Sequence, residues 1–145
     1  MTNNELQKLV EEVSLTSFHL PFKHQAIFNR RLKSTGGRYH LKDHHLDFNP
    51  LIVEQHGLAE FIKVIKHELC HYHLHLTKRG YKHQDQDFKQ LLKKVDGSRF
   101  APTVSTGKEK TYLCKKCGQK ISRQRKIDTN RFVCGKCNGK LRLIA

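Results

Sequence analysis

Residues 58–77 read LAEFIKVIKHELCHYHLHLT, and this stretch decides the fold. Leu58, Ile62, Ile65, Leu69, Tyr72 and Leu76 recur at helical spacing, which predicts a long amphipathic helix from about Leu58 to Thr77, stopped by Gly80. On it His67-Glu68-Leu69-Cys70-His71 forms an H-E-x-x-H pattern. Two histidines four apart sit about 40° apart around a helix and about 6 Å along it, so both imidazoles reach one metal ion. Glu68 lies on the neighbouring flank, where it serves a water at an open metal position rather than the metal itself. The apolar stripe is expected opposite the two histidines, leaving them to face a cleft. Cys70 reads as a buried structural thiol.

Other elements group around this helix. A first helix capped by Asn4 runs to about Ser14 with Leu6, Leu9, Val10 and Val13 on one face. Extended segments follow at Ala26–Leu32, Arg38–Leu41 and Leu46–Phe48, with a turn at Gly36-Gly37 that predicts a hairpin, extended by the third segment into a meander. Asn49-Pro50 closes that region. A further helix from about Asp85 to Val95 buries Phe88, Leu91, Leu92 and Val95 and ends at Gly97. Helices beside one small antiparallel sheet make an α+β architecture.

A third protein ligand has to come from elsewhere. An N-terminal group is one source, and His73, His75, His83, Asp85 and Asp87 are downstream candidates. His75 stands about 12 Å of helical rise from His67 and cannot share its metal, and His73 points to another face. His83 follows Gly80-Tyr81, where the chain turns back, and is the preferred ligand. Asp87 is expected as a supporting partner or substitute.

The C-terminal segment has a different composition. The chain of 145 residues carries a net charge of +15, of which +10 belongs to residues 108–145. All eleven histidines precede residue 84, whereas four of five cysteines follow residue 113. The expected organisation is a domain at 1–103, a linker at 104–111 and a second module at 112–145. Cys114-x2-Cys117 and Cys134-x2-Cys137 are paired knuckles with zinc-ribbon spacing, and four thiolates leave no open metal position, so that zinc is expected to be structural. Gly118 and Gly139 are expected to supply permissive backbone beside the knuckles. Lys115, Lys116, Lys120, Arg123, Arg125, Lys126, Arg131 and Lys136 suit phosphate contacts, and Tyr112 and Phe132 suit stacking on single-stranded bases. The partners expected are nucleic acid, with single-stranded DNA the candidate form, and a protein substrate.

Apolar runs of three residues are too short for a membrane span, and the start of the chain lacks a basic, apolar leader. A cytoplasmic location is expected, where paired cysteines hold metal rather than form disulfides.

The sequence His67-Glu68-Leu69-Cys70-His71-Tyr72, with Gly80-Tyr81-Lys82-His83, Asp87-Phe88, Gly37-Arg38-Tyr39, Leu46-Asp47-Phe48-Asn49 and the four cysteines, resembles the SprT family of zinc metalloprotease-like proteins. The resemblance covers nearly the whole chain. It implies a zincin-like helical domain followed by a zinc ribbon, and two zinc ions. His67, His71 and a downstream histidine would be ligands, with Glu68 as catalytic base. The better-understood relative Spartan degrades proteins covalently trapped on DNA, which makes a peptidase acting at nucleic acid the leading expectation. The alternative is a non-enzymatic zinc- and nucleic-acid-binding protein associated with transcription, and a third is an adaptor with two structural zincs. So short a chain is expected to leave little room for a substrate-selecting pocket.

Overall fold

The computed structural model describes residues 1–105, 110–123 and 126–144. Two compact units divide the chain, Met1–Val104 and Ser105–Ala145. Among the described residues there are four α-helices and two three-stranded sheets.

The first unit begins with α1 (Asn3–Val13). Its cap is Thr2, not Asn4: the Thr2 hydroxyl accepts from Glu5 N at 3.2 Å, and the Glu5 carboxylate accepts from Thr2 N at 3.0 Å. This reciprocal box satisfies two amides that would otherwise lack partners at the helix start. The helix runs on into a π-helical turn, Ser14–Phe18, which ends at His19 in a left-handed conformation. Ser14 is wholly buried; its hydroxyl donates to Leu20 O and pairs with His73 Nε2 at 2.7 Å.

The sheet is mixed, which corrects the expected antiparallel meander. Strands β1 (Ala26–Phe28), β2 (Gly37–Tyr39) and β3 (Leu46–Phe48) lie in the order β1-β3-β2. β3 pairs parallel with β1 (Ala26 beside Leu46) and antiparallel with β2 (Gly37 beside Phe48). No β1–β2 hairpin exists because β3 lies between them. The connection is tied in place by Asn49, whose amide donates to Lys33 O and Thr35 O while its carbonyl oxygen accepts from Leu51 N. That last bond caps a short helix, α2 (Pro50–His56), where the sequence pattern had suggested only a boundary. Pro50 at its first position fits, since no amide is needed there.

Helix α3 (Leu58–Leu76) is the predicted long helix, and it packs against α1, α2, α4 (Gln86–Val95) and β2. Its buried side chains are Phe61, Val64, Ile65, Glu68, Leu69, Cys70, Tyr72, His73 and Leu74. The stripe is therefore broader than expected, and its outermost members, Leu58 and Leu76, are exposed.

The second unit is a small antiparallel sheet in the order β5-β4-β6, built from β4 (Lys110–Cys114), β5 (Lys120–Arg123) and β6 (Leu141–Leu143). Tyr112 is completely buried and its hydroxyl accepts from Ile127 N, so it belongs to this unit's core and offers no stacking face. No helix of the described chain is long and apolar enough to cross a membrane.

Candidate metal centres

Helix α3 brings His67 and His71 onto one face, and the turn between α3 and α4 delivers His83 to them. The three Nε2 atoms lie 3.1 Å (His67–His83), 3.0 Å (His71–His83) and 3.3 Å (His67–His71) apart. Zinc–nitrogen bonds of roughly 2.0–2.1 Å place tetrahedral ligand atoms roughly 3.3–3.4 Å apart, so the trio is spaced as three corners of such a tetrahedron, and among the described residues no fourth His, Cys, Asp or Glu joins the group. The orientation of two rings is fixed from behind. His67 Nδ1 donates to Ser98 O at 2.7 Å and His71 Nδ1 to Tyr81 O at 2.5 Å, which leaves both Nε2 lone pairs pointing inward. Burial lowers the pKa of His67 and pulls that of His71 down to about 4, so both rings are neutral at pH 7, as ligation demands. Phe88 of α4 stacks on His71 with ring centres 4.4 Å apart and meets His67 and His83 edge-on.

The turn carrying His83 is held by the two aspartates that the sequence left as possible ligands. Asp87 accepts from Gly80 N at 3.0 Å and from Arg79, and Asp85 accepts from Lys82 N at 3.1 Å. Both act on the backbone around His83 and neither joins the cluster of three imidazoles. His73 is buried against Ser14 and Phe18, and His75 pairs with the Tyr39 hydroxyl, so neither is drawn to the trio.

Glu68 lines the same cavities as His67 and His83. It is buried, and burial, reinforced by the nearby Asp47 carboxylate, pushes its pKa up to about 8. Gly37 on β2 makes room for it: a Cβ there would come within 3.1 Å of Glu68 Cγ and 2.9 Å of the Phe48 ring. Sequence reading had assigned Gly37 only to a turn. The Ser98 and Tyr81 carbonyls that orient the histidines carry no side-chain signal and were not foreseeable. The cleft also extends further than chain length had suggested, into an adjoining cavity of about 520 Å³ that His83 borders.

In the second unit all four cysteine sulfurs lie within 4.8 Å of one another. Cys114 and Cys137 are 3.4 Å apart and Cys117 and Cys134 3.8 Å, against the roughly 3.8 Å edge of a tetrahedron with roughly 2.3 Å zinc–sulfur bonds. Each knuckle closes on itself, Gly118 N donating to Cys114 O and Asn138 N to Cys134 O. Gly118 (φ 76°) and Asn138 (φ 59°) take the left-handed positions. Gly139 is needed for a different reason than the expected backbone freedom: a Cβ there would sit 2.9 Å from Cys114 Sγ. The Cys117 amide aimed at Cys114 brings that thiol down to about 6, and the Cys137 and Lys136 amides lower Cys134, so the backbone favours the thiolate at the first cysteine of each knuckle, while the neighbouring thiols push Cys137 up to about 11.

A third group of potential ligands, His40, His45 and Asp47, also has its ligand atoms within 4.8 Å of one another, but they are engaged with other side chains. Asp47 is already paired with the Arg38 guanidinium at 2.7 Å, His45 Nδ1 with the Asp43 carboxylate at 2.5 Å, and the two imidazoles stack 3.8 Å apart.

Of the basic residues singled out in the second unit, Lys115, Lys116, Lys120, Arg123, Lys126, Arg131 and Lys136 are exposed; Arg125 lies outside the described residues. Phe132 is half exposed with the Arg131 guanidinium 5.7 Å from its ring centre.

Fold and sites together define a two-unit protein: a mixed helix-and-sheet unit with a three-histidine cluster beside a buried glutamate, and a four-cysteine zinc ribbon. Residues 5–110 match the SprT-like family and residues 111–145 match the SprT-like zinc ribbon domain, and the chain belongs to this family. It is similar to a protein from Enterococcus faecalis described as "Protein SprT-like", 58% identical over 144 residues that cover 97% of this chain and 94% of that one. Proteins of the same description from Lactiplantibacillus plantarum (51% identical, covering 99% of this chain and 100% of that one) and Bacillus cereus (52%, covering 100% and 98%) are comparably similar. No solved structure matches the chain significantly.

Proposed function

We propose that this protein is a zincin-like, zinc-dependent peptidase that acts on proteins at nucleic acid, including proteins crosslinked to DNA. One observation carries the reading: three Nε2 atoms 3.0–3.3 Å apart share a cavity wall with a buried glutamate. A purely structural metal site has no use for such a carboxyl. His67, His71 and His83 would hold the ion, and zinc, when bound there, supplies a Lewis acid that polarises a carbonyl and makes water more acidic. Glu68 takes a proton from the attacking water and returns it to the leaving amine. Burial alone keeps Glu68 mostly protonated at pH 7, and a divalent cation beside it would draw its pKa back toward the carboxylate range, where it accepts the proton.

The second zinc, on Cys114, Cys117, Cys134 and Cys137, organises the ribbon. The exposed lysines and arginines of that unit attract phosphate, and Phe132 offers one stacking face for an unpaired base. Reduced cysteines of this kind suit the cytoplasm.

The test compares wild type with Glu68→Gln for cleavage of an unstructured protein, with and without single-stranded DNA. Cleavage stimulated by DNA in wild type and lost by at least a hundredfold in Glu68→Gln, with zinc content unchanged, is the expected result. Undetectable cleavage by both proteins under all conditions would leave a non-enzymatic binding protein as the better reading.

A further inference from the structure

Beside the three-histidine cluster, on the α4 side, lies the cavity of about 520 Å³. Its apolar surface comes from Phe88, Leu92 and Phe100, and its charged surface from Lys89, Lys93 and Arg99, with no carboxylate among the lining residues. Phe100 is 76% exposed, an unusual position for a phenylalanine, and the Arg99 guanidinium sits 5.3 Å from its ring centre. The wall is fixed rather than loose. Ser98 Oγ donates to Phe100 O at 2.7 Å, Ser98 N to Lys63 O, and Gly97 N to Leu92 O. Gly97 is required for this closeness, since a Cβ there would stand 2.6 Å from Leu92 Cδ1. The same Ser98 accepts from the His67 ring, so one short segment positions both the candidate metal centre and the aromatic wall. His83 and Phe88 border both.

We propose that this cavity is a side-chain subsite that selects an apolar residue flanked by acidic ones in an extended polypeptide. The inference rests on the peptidase reading and adds to it a substrate preference. Concavity and an apolar floor suit a single aliphatic or aromatic side chain. Lys89 and Lys93, one helical turn apart and both exposed, stand with Arg99 around the opening, where they complement carboxylates on neighbouring residues and repel cations. A nucleic-acid strand would instead call for an open groove following its backbone.

The experiment reads binding on zinc-loaded Glu68→Gln protein, so that bound peptides are not consumed. Fluorescent peptides carry a single leucine between two glutamates, a glycine between two glutamates, or a leucine between two lysines, in a Gly/Ser background. The leucine–glutamate peptide is expected to bind about tenfold more tightly than either of the others, equivalent to roughly 1.4 kcal/mol. Adding Phe100→Ala removes the leucine-over-glycine preference. Adding Lys89→Glu with Lys93→Glu reverses the glutamate-over-lysine preference, whereas the equally charged control Lys8→Glu with Lys23→Glu, on other parts of the first unit, preserves it. Equal affinity for the leucine and glycine peptides overturns the proposal, as does a control variant that reverses the charge preference equally well. Binding of an oligothymidine that falls with Phe100→Ala as far as peptide binding does also overturns it, by giving the cavity to nucleic acid. Because no cleavage is measured, an inactive wild type would defeat the peptidase reading and leave the subsite result standing; cleavage without the binding preference would do the opposite.

Discussion

Glu68 on α3 and Asp47 on β3 are both buried carboxyls, and their surroundings push them in opposite directions. Burial raises Glu68 to about 8. Burial opposes ionisation of Asp47 as well, but the Arg38 guanidinium, at 2.7 and 3.1 Å, with Asn29 and His40, overcomes it and holds the carboxylate at about 2. The folded pKa of Asp47 lies below its ordinary 3.8, so its contribution is fully present above about pH 4 and is lost as pH falls toward 2. Arg38 is half exposed, and solvent screening reduces the effect to about 1–2 kcal/mol. Asp47→Asn is therefore expected to be less stable than wild type by that amount at pH 7, and the gap should close between pH 4 and pH 2. Urea melts across this range check it, and a pH-independent gap would rule the account out. The pairing was not legible from the chain: Arg38 and Asp47 are nine residues apart and meet only because the β2–β3 register sets them opposite each other. His67, Glu68 and His71 were legible, since a single helix fixes their relation by spacing alone.

Among the elements, the segment between α3 and α4 matters most for the candidate site. His83 owes its place to a turn whose backbone is held by Asp85 and Asp87, and Gly80 itself packs so closely on Asp85 that a Cβ would fall 2.8 Å from the aspartate Cβ. Asp87→Ala releases the Gly80 amide and Arg79 together. Zinc affinity at the three histidines is expected to fall about tenfold, the lower end of what loss of a supporting hydrogen bond costs a metal site, while the ribbon's affinity stays unchanged. Competition with a graded series of chelators separates the two ions; equal affinity in the variant would show that the turn is held without Asp87. Sequence periodicity located α1, α3 and α4 because each repeats apolar residues over eight or more positions. It missed α2, whose seven residues hold too few turns for a period, and it misassigned the sheet. Strands of three residues carry almost no alternation, and the parallel β1–β3 pairing joins segments some twenty residues apart through backbone bonds such as Asn29 N to Phe48 O and Leu46 N to Gln25 O, which leave no side-chain pattern.

On the scale of the whole molecule the two units differ in what holds them together. The first has a core of twenty buried apolar residues, from Leu6 through Val104, none of them a candidate zinc ligand. The buried cluster of the second consists of Tyr112, Cys114, Cys134 and Leu141, so half of it is made of the candidate ligands themselves. Core area scales against the entropy of ordering a chain, and a cluster this small falls short unless metal binding supplies the remainder. Chelation at neutral pH should therefore unfold the ribbon alone: amide protection in β4, β5 and β6 is lost, while that in α1, α3 and α4 and most of the helical circular dichroism remain. Cys114→Ser should reproduce this selective loss, and His67→Ala, which touches only the first unit, should not. Hydrogen exchange followed by mass spectrometry resolves the two units in one measurement. The division also bears on nucleic-acid binding. If the exposed cations of the ribbon provide the contacts, affinity for single-stranded DNA falls with its folding, and Cys114→Ser weakens binding at fixed charge; unchanged affinity in that variant would mean that charge density, not the zinc-organised surface, carries the interaction.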